Sequence, residues 1–336
     1  MKKLAKFWIK KENNSVKCFL CNHSCLIKED QFGKCCVRKN ENGELFTMIY
    51  GSSSSMAVDP IEKKPLYHFY PGSKVLSFGT IGCNFNCLFC QNSSISRASL
   101  DFPYIQDIDS EEVVLQAKRQ NCDGIAWTYN EPTIWHEFTY DSSKLAKKND
   151  LYTVYVSNGY IQEDPLKEIS TCLDAINIDV KAFNEKFYQD ICKASLEPVL
   201  KTCIISKELG IHLELTYLII PSYNDSEQEL RKFCEWVVEN LGLDVPIHFS
   251  RFHPDYKMRN VSVTPMEIML NAYQIARDYK IRYPYLGNIA HGDYEDTKCP
   301  KCGNICIKRY GYSLDIDGMN DGKCKNCGYK ILNFIK

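Results

Sequence analysis

Short β-branched or aromatic runs alternate with longer amphipathic stretches from residue 73 to residue 290, which predicts an α/β fold on a parallel sheet. Two cysteine-dense segments outside that span predict a Cys-rich extension over residues 1–72 and a compact ribbon-like tail over residues 297–336. A third cysteine group lies inside the span, directly after its first strand, where chemistry is expected.

Strands are expected at 74–78, 124–128, 152–157, 175–180, 212–220, 246–252 and 283–286. The helices between them carry start signals: Asp109 with Glu112 three residues on, Asp225 or Ser226 ahead of Leu230, and Thr264 followed by Pro265 and Glu267. Seven strands in alternation with helices suit either an open doubly wound sheet or a barrel. In both, functional residues gather beyond the carboxyl ends of the strands. The first 72 residues differ in texture, with a serine run at 52–55 and prolines at 60, 65 and 71, and read as an extension packed on the sheet.

Composition excludes several classes. With 336 residues, 44% hydrophobic and 25% charged, the chain is ordinary for a folded globular protein. A net charge of −1 gives no field that would draw it to nucleic acid or an anionic membrane, so neither partner is expected. No stretch is long and apolar enough to span a bilayer, and the lysine-interrupted start is too short in apolar content for a secretory signal; a cytoplasmic protein is expected. Eighteen cysteines in such a chain point to metal binding rather than a disulfide scaffold, and thirteen of them fall in the three dense groups. Cys122, Cys172, Cys192, Cys203 and Cys234, scattered singly, read as small core residues without function.

In the middle group, Cys83-Asn-Phe-Asn-Cys87-Leu-Phe-Cys90 follows the turn Gly79-Thr80-Ile81-Gly82 and precedes a helical stretch. A [4Fe–4S] cluster is normally held by four cysteines, so a loop offering three leaves one iron open. This spacing, with aromatic Phe89 before the last cysteine, resembles the signature of radical S-adenosylmethionine (SAM) enzymes. The resemblance implies that SAM chelates the open iron, and that reductive cleavage yields methionine and a 5′-deoxyadenosyl radical that abstracts hydrogen from a substrate. A zinc site, or an electron-transfer cluster completed by a cysteine from elsewhere, would also suit the loop.

The second strand ends in Tyr129-Asn130-Glu131-Pro132-Thr133, which looks like a local version of the family's Gly-Gly-Glu motif; a helix-capping turn is the alternative. The third runs into Asn158-Gly159 and the fourth into Asp179-Val180-Lys181. By resemblance, SAM lies against Phe89, Asn130, Glu131, Asn158, Asp179 and Lys181, although an Asp179–Lys181 pair also suits a structural role. The fifth strand ends in the stretch from Thr216 to Asp225, whose turn supports the adenine in related proteins. His248, Arg251 and His253, around the end of the sixth strand, are weaker candidates for substrate contact.

At the amino end, Cys18, Cys21, Cys25 and Cys35 offer four soft ligands for zinc or a second Fe–S cluster, with Cys36 competing for the fourth place. At the other end, Cys299, Cys302, Cys324 and Cys327 form two Cys-x2-Cys-Gly knuckles like those of a zinc ribbon, Cys306 being spare. From residue 298 to 336, eight Lys or Arg against three Asp give 8 − 3 = +5, read as a solvated module that caps the sheet rather than an RNA-binding tail.

This ordered set resembles the radical SAM member of the AmmeMemoRadiSam system, a relative of the pyruvate formate-lyase activating enzymes. The resemblance implies a partial (β/α)6 TIM-like barrel, a [4Fe–4S] cluster and SAM as cofactors with zinc besides, and anaerobic chemistry. It further implies an electron donor such as ferredoxin or flavodoxin, and association with Memo-like and AMMECR1-like proteins. Hydrogen abstraction from an unidentified substrate is the first expectation and glycyl-radical-enzyme activation the second. A non-catalytic multi-metal electron carrier is the third.

Overall fold

A computed structural model describes residues 1–289 and 293–334; position 290, the expected end of the barrel, and positions 335 and 336, the expected end of the tail, lie outside the described residues. All seven expected strands form, at Lys74–Gly79, Gly124–Trp127, Tyr152–Ser157, Ala175–Asp179, His212–Ile219, Ile247–Arg251 and Pro284–Gly287. They pair in parallel, in chain order, within one sheet. A doubly wound sheet reverses its strand order at a switch point, and this sheet does not. The sequential order is that of a barrel segment, and the sheet stays open, with Pro284–Gly287 at one edge.

The other edge is a strand the sequence did not announce. Ser55–Pro60 pairs antiparallel with Lys74–Gly79, so part of the segment assigned to the extension belongs to the main sheet. Its alternating exposure, with Met56 and Val58 on the outer face and Pro60 at its end, is that of an edge strand. The parallel strands, in contrast, are covered on both faces: every residue of Gly124–Trp127 is buried.

Two helix starts form as expected. Asp109 accepts a hydrogen bond from the Glu112 backbone N–H at 2.8 Å, capping Ser110–Arg119, and Ser226 accepts from Glu229 at 3.3 Å, capping Glu227–Leu241. Thr264 is not a cap for Met266–Asp278; its hydroxyl donates to the Ile219 carbonyl at 2.6 Å and accepts from Phe252 N–H at 3.0 Å, tying two strand ends together.

The extension carries two small antiparallel sheets and a core of its own, centred on Val16, Leu20, Ile27 and Leu45. It docks through Arg38, whose guanidinium pairs with Glu137 at 2.9 Å, both side chains 2% exposed. The tail packs on Tyr67, Tyr283 and Tyr285, below the start of the last strand. Arg309 locks it there, donating to the Tyr67 carbonyl at 2.9 Å and lying over the Tyr67 ring. The opposite end of the sheet, where the carboxyl ends gather, is left for the site.

Candidate active site

The loop after Lys74–Gly79 is held from several sides. Gly82 has φ +83°, and a Cβ there would lie 2.7 Å from the Cys35 carbonyl oxygen, so the extension passes too close for any side chain. Arg97 donates to the carbonyls of Cys83 and Phe85 at 3.1 and 2.5 Å, and the Phe85 N–H points to Cys83 Sγ at 3.4 Å. Asn130 clasps the same loop, accepting from Thr80 N–H at 3.2 Å and donating to the Gly82 carbonyl at 2.7 Å.

Cys83, Cys87 and Cys90 line one cavity of about 230 Å³ together with Phe89, Asn130, Asn158, Asp179 and Lys181. Burial pushes the Cys83 and Cys90 thiols upward, so each awaits a cation to become a thiolate. The Asn158 side-chain amide donates to Asn84 at 2.7 Å and lies 3.9 Å from Cys83 Sγ. Lys181 and Asp179 pair at 3.0 Å, and the ammonium stands over the Phe89 ring. The pair faces the cavity.

Glu131 is placed differently. It is fully buried and absent from the cavity wall; Oε1 accepts from Thr133 N–H and the Ser157 hydroxyl, and Oε2 from Asn158 N–H at 2.8 Å. The capping-turn alternative describes it, and through Asn158 it sets one wall of the site.

His248, Arg251 and His253 do not reach the cavity. His248 is buried near the start of its strand, 2.7 Å from Glu214 Oε2; Arg251 donates to the Thr264 carbonyl at 2.7 Å; His253 is exposed. Ser250 lines the cavity instead. Since alternate residues of a strand share a face, Arg251 lies on the side away from Ser250 and His248 one repeat too deep, while His253 lies beyond the strand. Thr216 and Leu218, near the carboxyl end of His212–Ile219, and Asn288, just beyond Pro284–Gly287, also line the wall; uncharged, they carry no signal of chemistry beyond their places at strand ends. Cys192, read as a plain core residue, sits in a π-turn, Tyr188–Cys192, whose carbonyls accept from Asn86 and Leu88 in the cysteine loop. Its thiol beside Cys87, with burial, holds the Cys87 thiol well above its ordinary range.

Family comparison fits this geometry. A model of the radical SAM superfamily matches residues 78–234, the stretch that supplies all three loop cysteines and the Asn158, Asp179 and Lys181 wall. An uncharacterized protein of Methanocaldococcus jannaschii is 46% identical over 330 residues, covering 97% of this chain and 98% of its own. By the superfamily match, residues 78–234 belong to the radical SAM superfamily. The pyruvate formate-lyase 1-activating enzyme of Escherichia coli is 23% identical over 228 residues, covering 62% of this chain and 90% of that enzyme. The crystal structure of Streptococcus suis SuiB bound to precursor peptide SuiA shares the fold, with TM-score 0.51 at 10% identity over 69% of this chain and 52% of that one. The radical SAM family implies a [4Fe–4S] cluster and SAM, and the three loop thiols facing Asn158, Asp179 and Lys181 across one cavity fit both.

The two outer cysteine groups also assemble. In the tail, the ligand atoms of Cys299, Cys302, Cys324 and Cys327 lie within 4.8 Å of one another, an arrangement that could hold a metal ion. Cys306 is buried beside them and outside the group. At the amino end, Cys18, Cys21, Cys25 and Cys35 line a single cavity, and Cys36 turns outward to solvent. No helix of the described residues is long and apolar enough to cross a membrane.

Proposed function

We propose that this chain is an enzyme that cleaves SAM reductively and uses the radical to remove hydrogen from an organic substrate. The observation that carries this is the cavity, with three cluster-type cysteines on one side and Asn158, Asp179 and Lys181 on the other. When bound, the cluster supplies the electron that breaks the sulfonium bond. Asp179 would accept hydrogen bonds from ribose hydroxyls or the SAM ammonium group, and Lys181 would donate to its carboxylate. Glu131 fixes the Asn158 backbone, and Phe89 shields the loop from water.

The relation to pyruvate formate-lyase activating enzymes supports a second, narrower reading: hydrogen abstraction from the glycine of a glycyl-radical enzyme. The partners that suit either reading are a ferredoxin- or flavodoxin-type electron donor and, following the AmmeMemoRadiSam resemblance, Memo-like and AMMECR1-like proteins. Cytoplasmic, anaerobic work and a structural zinc in the tail belong to the same proposal. The test is anaerobic reconstitution, reduction with dithionite in the presence of SAM, and assay for 5′-deoxyadenosine and methionine. Both are expected, and both vanish in Cys83→Ala. A protein with a verified cluster that releases neither, even with candidate partners present, is an electron carrier instead.

A further inference from the structure

The amino-terminal cysteines assemble in a manner that separates the two metals the sequence left open. Cys18, Cys21, Cys25 and Cys35 surround a cavity of about 20 Å³ whose other walls are Leu20, Ile27, Gly33, Lys34, Ile134 and Arg38. Arg38 is 1% exposed. Its Nη2 is used, donating to the Lys6 carbonyl at 2.6 Å and to Glu137 at 2.9 Å, whereas its Nε and Nη1 have no hydrogen-bond partner. A buried, unpartnered N–H costs about 1–3 kcal/mol, more on a charged group, and such a loss is rarely tolerated without a ligand. Besides Arg38 and the exposed Lys34, the side chains lining the cavity offer apolar carbon and four thiol sulfurs, so the side-chain acceptor this cavity presents to the free donors is sulfur.

Spacing then distinguishes the sulfur-bound group. Four thiolates on one zinc, with bonds of about 2.3 Å, form a tetrahedron with edges of about 3.8 Å. The tail cysteines have this size, with Cys299–Cys327 and Cys302–Cys324 at 3.5 and 3.6 Å. The amino-terminal four do not converge in that way: among the described residues only the tail group draws its ligand atoms within 4.8 Å of one another. In this they match Cys83, Cys87 and Cys90. An iron–sulfur cluster places its thiolates on different irons, so its ligands stand apart around a central space.

We propose that Cys18, Cys21, Cys25 and Cys35 hold a second iron–sulfur cluster, with the free Arg38 N–H groups donating to its sulfurs. The site is bonded directly to the central loop. His23, two residues past Cys21, meets the Asn84 carbonyl at 2.7 Å, and Asn22 N–H donates to the Tyr160 carbonyl at 3.0 Å.

The full chain carrying Cys83→Ala, Cys87→Ala and Cys90→Ala removes the central cluster and leaves the amino-terminal segment untouched. Reconstituted anaerobically with iron and sulfide, it is expected to retain iron and acid-labile sulfide in equal amounts and to give an EPR signal on reduction with dithionite. Adding Cys25→Ser removes that iron while zinc content stays constant; adding Cys36→Ser changes neither. A triple variant that binds no iron overturns the proposal. So does a zinc, additional to that of the tail, that is lost with Cys25→Ser. Because SAM plays no part in the measurement, failure here is distinct from failure of the central SAM chemistry.

Discussion

At the scale of single residues, Glu131 shows how a functional assignment can be displaced by one step. Its carboxylate takes three hydrogen bonds and never sees the cavity, yet one of them fixes the backbone of Asn158, whose amide lies beside Cys83. Glu131→Ala leaves those buried donors unpaired, and a loss of about 1–3 kcal/mol in folding stability is expected. Deoxyadenosine formation should fall by a larger factor than iron content, because the loop thiols remain while Asn158 moves; denaturant melts, iron assay and product assay on one preparation check this. In contrast, Asp179→Asn and Lys181→Met touch the cavity wall directly. We expect SAM KM to rise about 10- to 100-fold, the worth of one charge-assisted hydrogen bond at about 1.5–3 kcal/mol, with iron content unchanged. The thiols, Asn158, Asp179 and Lys181 were legible because each stands at or just beyond the carboxyl end of a strand. His248 and Arg251 were not separable from Ser250 by sequence, since a histidine and an arginine advertise chemistry and a serine does not; only strand register settles which faces the cavity.

Among the elements, the strands were legible because parallel strands covered on both faces are rich in β-branched and aromatic residues, as Tyr152–Ser157 is. Ser55–Pro60 escaped for the opposite reason: an edge strand half exposed to solvent reads as polar loop, and its four-serine approach reinforced that reading. The Thr264 start signal misled because a threonine hydroxyl serves a strand-end carbonyl as readily as a helix N–H. Turns between these elements carry the site, which makes the Asn158-Gly159 turn a sharp test. Gly159 has φ +70°, and a Cβ there would lie 2.8 Å from Ile178 Cγ2. Gly159→Ala therefore meets both backbone strain and a clash, with an expected cost of about 1–3 kcal/mol. Iron binding by the Cys83 loop should survive while SAM binding weakens, measured by iron assay and equilibrium dialysis with labelled SAM.

For the whole molecule, the two ends of the sheet have divided tasks: the carboxyl ends carry the cavity, and the amino ends carry a buried polar network that anchors the tail. Glu214 stands at its centre, accepting from the backbone N–H groups of Tyr67 and His68 at 3.0 and 2.7 Å and contacting His212 and His248. His68, 4% exposed, meets the Tyr285 hydroxyl at 2.6 Å, and Tyr285 in turn meets Thr297 of the tail at 2.8 Å. Burial holds His68 down to about 3, against the attraction of Glu214, while Glu214 is held well below its usual range despite burial, by its histidine contacts. Both groups make the protein less stable in acid, in different windows. For His68 the unfolded chain binds a proton below about pH 6.5 and the folded protein does not, so stability is lost as pH falls from 6.5 toward 3, at up to about 1.4 kcal/mol per unit. For Glu214 the loss begins only below its unfolded value, about 4.3. Between pH 6.5 and 5 the slope of this network therefore belongs to His68, about 2 kcal/mol in all. Guanidinium melts of the metal-replete protein at pH 7.5, 6.5, 5.5 and 5 should show that decline, and His68→Gln, which still offers Tyr285 a hydrogen-bonding group, should flatten it. An unchanged slope in the variant would move the acid sensitivity elsewhere, to the half-buried His23 beside the amino-terminal cysteines, whose own value burial also lowers. Hydrogen exchange then separates the two sites, since protonation at His68 loosens the tail from Thr297 onward, and protonation at His23 loosens the Cys83 loop.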